Sequence, residues 1–216
     1  MEKEDLIKLA QHLANPQGKE GIETGEMMHS NNIGMTLESI KTLLIEDHET
    51  ILEIGHGNAA HVKHIINKAR NVRYTGIDIS ETMHYEARRL NQEYQDQVDF
   101  VWYEGKNLPF ADQTFDKIFT VNTVYFWEEP VEYLNEIYRV MKNNGTFVLT
   151  FGQKDSMEKL PFTQFGFRLY STDEMEETVS KSHFKRMKIS EREEQVKSKT
   201  GDQTIHRIYT ILTIKK

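Results

Sequence analysis

The sequence predicts an α/β fold: a mostly parallel sheet that finishes with an antiparallel strand. Three observations predict it. From about residue 50 to 151, short apolar runs alternate with stretches of helical period, the pattern of right-handed βαβ units. The last two strand-like runs, 184–189 and 205–214, leave no room for a helix between them, and Thr200-Gly201-Asp202-Gln203 fits a hairpin loop. The length of 216 residues suits one domain with a sizeable core and is short for two.

The elements follow in order. Residues 4–14 read as a helix, with Leu6, Ile7, Leu9, Ala10 and Leu13 on one side. Residues 15–34 are rich in Gly, Asn and small polar side chains and read as partly irregular. A second helix is predicted over about 35–46. The run 50–54, ending in Gly55, reads as a buried strand, and 60–68 as a helix. Residues 73–77 form the next strand, ending at Asp78. Ser80 is placed to N-cap a helix running to about Tyr94, with an acidic first turn. Strands are predicted at 98–102 and 115–121. Pro130 opens a helix at its first turn, which ends at Lys142-Asn143-Asn144-Gly145, before a fifth strand over 146–151.

Composition narrows the chemistry. The formal net charge is −7, and there is no cysteine. That excludes disulfides, Cys-ligated zinc, Cys-bound iron–sulfur clusters and thiolate nucleophiles. No apolar run approaches the roughly 18 residues of a membrane span, and the N-terminus is charged, so a cytoplasmic protein away from the membrane is expected. Residues 1–180 carry 17 basic and 30 acidic side chains; residues 181–216 carry 10 and 4. The basic tail reads as the solvated face of a terminal hairpin, because its charges alternate with apolar positions. The overall acidity argues against a nucleic-acid binder.

Between the first strand and its helix lies Glu53-Ile54-Gly55-His56-Gly57-Asn58-Ala59-Ala60. Glycines here let backbone approach a ligand, and the helix that follows offers amide N–H groups. The run satisfies G-x-G-x-x-A with Asp78 at ribose-binding distance, so an NAD(P)-dependent oxidoreductase is one alternative. Three carboxylates bear on the choice. Glu53 lies within an apolar strand and needs a cation or several donors. Asp78 ends the second strand and Glu104 follows the third. All three face the carboxyl edge of the sheet, an edge better suited to a net-cationic ligand with ribose hydroxyls than to a pyrophosphate.

These residues resemble class I S-adenosylmethionine-dependent methyltransferases, in particular the small bacterial methyltransferase-domain type 11 family. The resemblance spans about 15–151 well and the rest loosely. It is carried by Ile51-Leu52-Glu53-Ile54-Gly55-His56-Gly57, by Gly76-Ile77-Asp78-Ile79-Ser80, by Glu104-Gly105-Lys106-Asn107-Leu108-Pro109-Phe110 with Phe115-Asp116, and by Tyr138-Arg139-Val140-Met141-Lys142-Asn143-Asn144-Gly145. Four ordered blocks are far more specific than any one. The resemblance implies a Rossmann-like seven-stranded mostly parallel sheet with helices on both faces and an antiparallel C-terminal strand. It divides a single 1–216 domain into an N-terminal helical cap (1–46), a cofactor-binding core (47–151), a lid-like insertion and helix (152–182) and a terminal hairpin (183–216).

The resemblance also implies roles. The Gly55-His56-Gly57 loop would back the methionine part of S-adenosylmethionine, with Glu53 near its ammonium. Asp78 would hold the ribose hydroxyls, two acceptor oxygens against two donors. Ile79 and Met83 would pack on the adenine, Glu104 would accept its amino group, Gly105 would offer an N–H, and Asn122 would lie under the methionine moiety. Two departures stand out: Ala59 replaces a third glycine, and Glu104 is one methylene longer than the usual Asp. The stretch Thr123-Val124-Tyr125-Phe126-Trp127-Glu128-Glu129 would face a small or partly apolar acceptor, or else serve as helix-capping core. Residues 152–172 and Met27-Met28-His29-Ser30-Asn31-Asn32 would cover the pocket. No catalytic residue is assigned; His29 and Tyr125 are the base candidates. His56, His61 and His64 could ligate zinc by residue type, but they read as partly exposed helix residues, so no metal is expected. With no cysteine, thiolate-dependent methylation of cytosine C5 or arsenite is excluded, as are radical enzymes with an iron–sulfur cluster. The expected function is methyl transfer to a small-molecule acceptor, the alternative of this same fold being a non-catalytic cofactor-binding protein.

Overall fold

The computed structural model describes residues 2–197 and 204–216. Seven strands within them form one sheet: β1 (Thr50–Ile54), β2 (Arg73–Asp78), β3 (Val98–Trp102), β4 (Phe115–Val121), β5 (Met141–Gly152), β6 (Arg186–Lys197) and β7 (Thr204–Lys215). Their order is β3-β2-β1-β4-β5-β7-β6. β1 to β5 pair in parallel, and β7 runs antiparallel to both β5 and β6. This is the sheet the sequence predicts; the predicted loop at Thr200-Gly201-Asp202-Gln203 lies outside the described residues.

The helices are α1 (Lys3–Ala14), α2 (Gly18–Leu43), α3 (Lys63–Ile66), α4 (Glu81–Leu90), α5 (Pro130–Val140), α6 (Lys154–Met157) and α7 (Thr172–Ser180). None is long and apolar enough to cross a membrane. The two-residue period of a strand sends alternate side chains to opposite faces. Leu52 and Ile54 enter a core with Leu134 and Ile137 of α5 and Met175 and Val179 of α7. Ile51 enters the other, with Ile40 and Leu43 of α2, Ile65 of α3 and Ala87 of α4. Glu53 shares the parity of Ile51, so it faces α2 and α3.

Several expectations change. Residues 15–34 are not irregular: from Gly18 they belong to the 26-residue α2. Tertiary packing overrides their weak helix propensity. At Gly25 a Cβ would lie 2.6 Å from the Sδ of Met83, so glycine lets α2 cross close to α4. The helix expected over 60–68 shrinks to α3, because Ala59 sits at φ 53° and breaks helical geometry upstream. α5 ends at Val140 rather than at 142–145, because Met141 already pairs with Phe115 as the first residue of β5. The Ser80 cap is as predicted: its hydroxyl accepts the Met83 N–H at 3.0 Å and donates to the Pro16 carbonyl at 2.5 Å, while the helix itself stops at Leu90.

Candidate functional site

Strand order reverses between β1 and β4, and open α/β sheets bind ligands at the carboxyl edge beside such a switch. A cavity of about 280 Å3 lies there. Its floor is the ends of β1, β2 and β4 and the loop after β3; its roof is α1 and α2. Glu53, Gly55, His56, Gly57, Asp78, Ile79, Met83, Glu104, Gly105 and Asn122 all line it, as does His29 of α2. Tyr125 does not. It is buried, and its hydroxyl lies 3.0 Å from the Asn122 Oδ1 and 3.1 Å from the Gly152 carbonyl. Burial pushes that phenol far above its ordinary range, and the structure places this base candidate outside the cavity lining.

The turn after β1 is built on backbone geometry. Gly55 takes φ 74° and donates its N–H to the Ile77 carbonyl at 2.7 Å. A Cβ there would meet Thr123 Cγ2 at 2.3 Å, so glycine is required twice over. Gly57 donates to Asp78 Oδ2 at 2.9 Å and Ser80 to Asp78 Oδ1 at 2.9 Å. One donor on each oxygen holds the carboxylate plane fixed and leaves further lone pairs for a ligand. The alanine in place of a third glycine holds φ 53° while buried.

The buried Glu53 finds the donors its position demands. His61 Nε2 lies 2.7 Å from its Oε2, and the Tyr74 hydroxyl donates to the same oxygen at 2.5 Å. Oε1 takes part in neither bond. The ring of His29 stacks on His61, centroids 6.1 Å apart and planes 17° apart. Burial lowers the His29 pKa below the ordinary histidine value. His61 was read as partly exposed, yet it is 5% exposed and lines the cavity, and His56 is 3% exposed. The tight turn at residues 57–62 replaces a regular helix start and folds His61 back over β1. Among the described residues no cluster of three metal-ligating side chains is present.

The aromatic stretch divides between the two expected roles. Val124 and Tyr125 are core; Thr123, Phe126, Trp127 and Glu128 line the cavity. From the N-terminal segment, Met28, His29 and Asn32 cover it. Residues 152–172 supply no wall. Phe167 instead buttresses Phe126 from behind at 4.7 Å. Asn122 is a tie as much as a wall: its Oδ1 also accepts the Gly152 N–H at 3.2 Å. Sequence reasoning missed Tyr74 and the tie of His61 to Glu53. The signal for both was Glu53 itself, a carboxylate that had to have partners.

Around the cavity stand Glu53, Asp78, Glu104 and Glu128 against a single lysine, Lys106, whose ammonium is 3.8 Å from Glu128. A glycine turn after the first strand, a fixed carboxylate at the end of the second and a crevice at the switch point define a nucleoside-cofactor-binding α/β domain. More particularly, residues 52–149 match the family model described as a methyltransferase domain. The chain is similar to YrhH of Bacillus subtilis (31% identity over 111 residues, 51% of this chain and 62% of that protein). It is also similar to YdaC of the same organism, an uncharacterized methyltransferase (26% over 133 residues, 61% and 72%). The match thus spans less than two thirds of YrhH. The fold is that of an S-adenosylmethionine-dependent methyltransferase from Aquifex aeolicus (TM-score 0.64, 18% identity, 96% of this chain and 97% of that one). It is also that of phosphoethanolamine N-methyltransferase 2 from Haemonchus contortus (TM-score 0.72, 16% identity, 96% and 60%).

Proposed function

We propose that this protein binds S-adenosylmethionine in the cavity and transfers its methyl group to a small-molecule acceptor. The observation that carries the reading is the charge of the lining, four carboxylates and one paired lysine around a glycine turn. A ligand with a sulfonium, an ammonium, one carboxylate and a ribose diol fits that lining. A dinucleotide pyrophosphate does not: it would meet Glu53 and Asp78 with no cation of its own. Bound there, the cofactor supplies a methyl group made electrophilic by its sulfonium.

The chain's own residues position and exclude. Asp78, held by the Gly57 and Ser80 amides, receives the ribose hydroxyls. Glu53 would hold the ammonium, and Gly55 and Gly57 would let the backbone approach. Ile79 and Met83 would pack on the base, with Glu104 and Gly105 near its edge. Met28, Phe126 and Trp127 form an apolar wall for a small acceptor and keep water from it, so positioning contributes much of the rate.

Thermal shift tests the reading. A ligand at about 100 times its Kd stabilises by about 2.7 kcal/mol, which for a chain of this size is a rise of roughly 5–11 °C. S-adenosylmethionine and S-adenosylhomocysteine are expected to produce it, and NAD and NADP to produce none. The reverse pattern refutes the proposal.

A further inference from the structure

The Glu53–His61 pair has a geometry that cofactor binding alone does not explain. An ionised carboxylate only accepts, so the 2.7 Å contact places the hydrogen on His61 Nε2. His61 Nδ1 is then a bare lone pair. It makes no hydrogen bond to any described residue, and the ring belongs to the cavity wall. A base held by a carboxylate on one ring nitrogen, with the other nitrogen unbonded, is the arrangement that activates protic nucleophiles elsewhere. Resting on the methyltransferase reading, we propose that His61 is the catalytic base and that the acceptor is a neutral O–H nucleophile, a phenol or related hydroxyl.

The balance is simple. The acceptor oxygen forms the new bond to the methyl carbon while the carbon–sulfur bond breaks and its electron pair stays on sulfur. The hydroxyl proton moves to His61 Nδ1, and Glu53 stabilises the imidazolium. The neighbours fit. From β2, Tyr74 holds Glu53 by a hydroxyl that burial keeps protonated, so it does not compete for the proton. From α2, His29 is neutral. From the glycine turn, His56 is neutral because burial lowers its pKa. Lys63 and His64 lie on the exposed side of α3, and Asp78 is tied to Gly57 and Ser80. An acceptor bearing a carboxylate or phosphate has no counterion in the wall except Lys106, already beside Glu128.

The test uses the full chain labelled with 15N-histidine and saturated with S-adenosylhomocysteine. Long-range 1H–15N spectra read the tautomer, and His61→Gln or, should that not fold, His61→Asn assigns the signal. The expected result is Nε2–H with bare Nδ1, and Glu53→Gln should move His61 protonation to lower pH. An Nδ1–H tautomer, or a titration unmoved by Glu53→Gln, overturns the proposal. In a methyl-transfer assay on catechol, 4-methoxyphenol and benzoate, His61→Gln should lower turnover of the phenols by about 10²–10⁴-fold. It should also flatten the fall in rate toward acid pH, while calorimetric affinity for S-adenosylmethionine stays within about threefold. Turnover of benzoate alone overturns the proposal. So does a loss of about tenfold or more in cofactor affinity with kcat intact, which makes His61 part of the ammonium site. If the wild-type chain binds no S-adenosylmethionine, the methyltransferase reading is what fails, and the tautomer still decides the pair.

Discussion

Asp78→Ala isolates the interaction on which the proposed cofactor recognition turns. In the folded chain each Asp78 oxygen already accepts one backbone N–H at 2.9 Å, from Gly57 and from Ser80. The carboxylate is therefore preorganised, and its remaining lone pairs meet a diol without reorganisation. A hydrogen bond to a charged group contributes about 1.5–3 kcal/mol, so two contribute roughly 3–6 kcal/mol, or about 10²–10⁴ in Kd. At a concentration 100 times the wild-type Kd, a hundredfold weaker variant is only half saturated. Its stabilisation falls from about 2.7 to about 0.4 kcal/mol, and the thermal shift from roughly 5–11 °C to about 1–2 °C. Alanine also strips partners from two amides, so the ligand-free variant melts lower; the ligand-induced shift is measured against that baseline. Calorimetry gives Kd directly. Retention of more than half the wild-type shift, or a Kd within about fivefold, refutes the ribose assignment.

Other consequences are equally concrete. Gly55→Ala forces a side chain into φ 74° and against Thr123, whose hydroxyl is already bonded to Thr120 at 2.5 Å; a loss of at least about 2 kcal/mol, roughly 4–8 °C in Tm, is expected by calorimetric scanning. Arg207 of β7 bonds Glu194, the Asn32 side chain at 2.9 Å and the Asn31 carbonyl at 2.8 Å, anchoring α2 beside the cavity. Arg207→Met should therefore cost about 3 kcal/mol in denaturant unfolding and weaken ligand binding through α2, whereas an effect on stability alone would separate the anchor from the site. Burial lowers the His56 pKa, so the unfolded chain binds that proton first as pH falls. Its contribution is full above the ordinary histidine pKa of about 6.5 and is lost as pH drops through the folded value. Urea titrations from pH 7.5 to 5 should show a smaller acid loss in His56→Asn than in the wild type.

The parallel sheet was legible because buried strands announce themselves as short apolar runs between helical periods. The antiparallel end was legible because two such runs left no space for a crossover. The long α2 was not, since Gly21, Gly25 and Asn31-Asn32 speak against a helix locally and are accommodated only by contacts with Pro16, Met83 and Arg207. The site divides along the same line. Gly55, Gly57 and Asp78 act through backbone turns and a strand end, features that sequence spacing encodes. His61 and Tyr74 act through a meeting of three elements, which spacing does not encode. Glu53 stands between the two cases. A carboxylate in an apolar strand must be matched by donors, and that much follows from residue types alone. Which donors match it decides the chemistry: two hydroxyls would leave only a binding site, whereas a hydroxyl and an imidazole with its second nitrogen unbonded leave room for the proposed proton transfer.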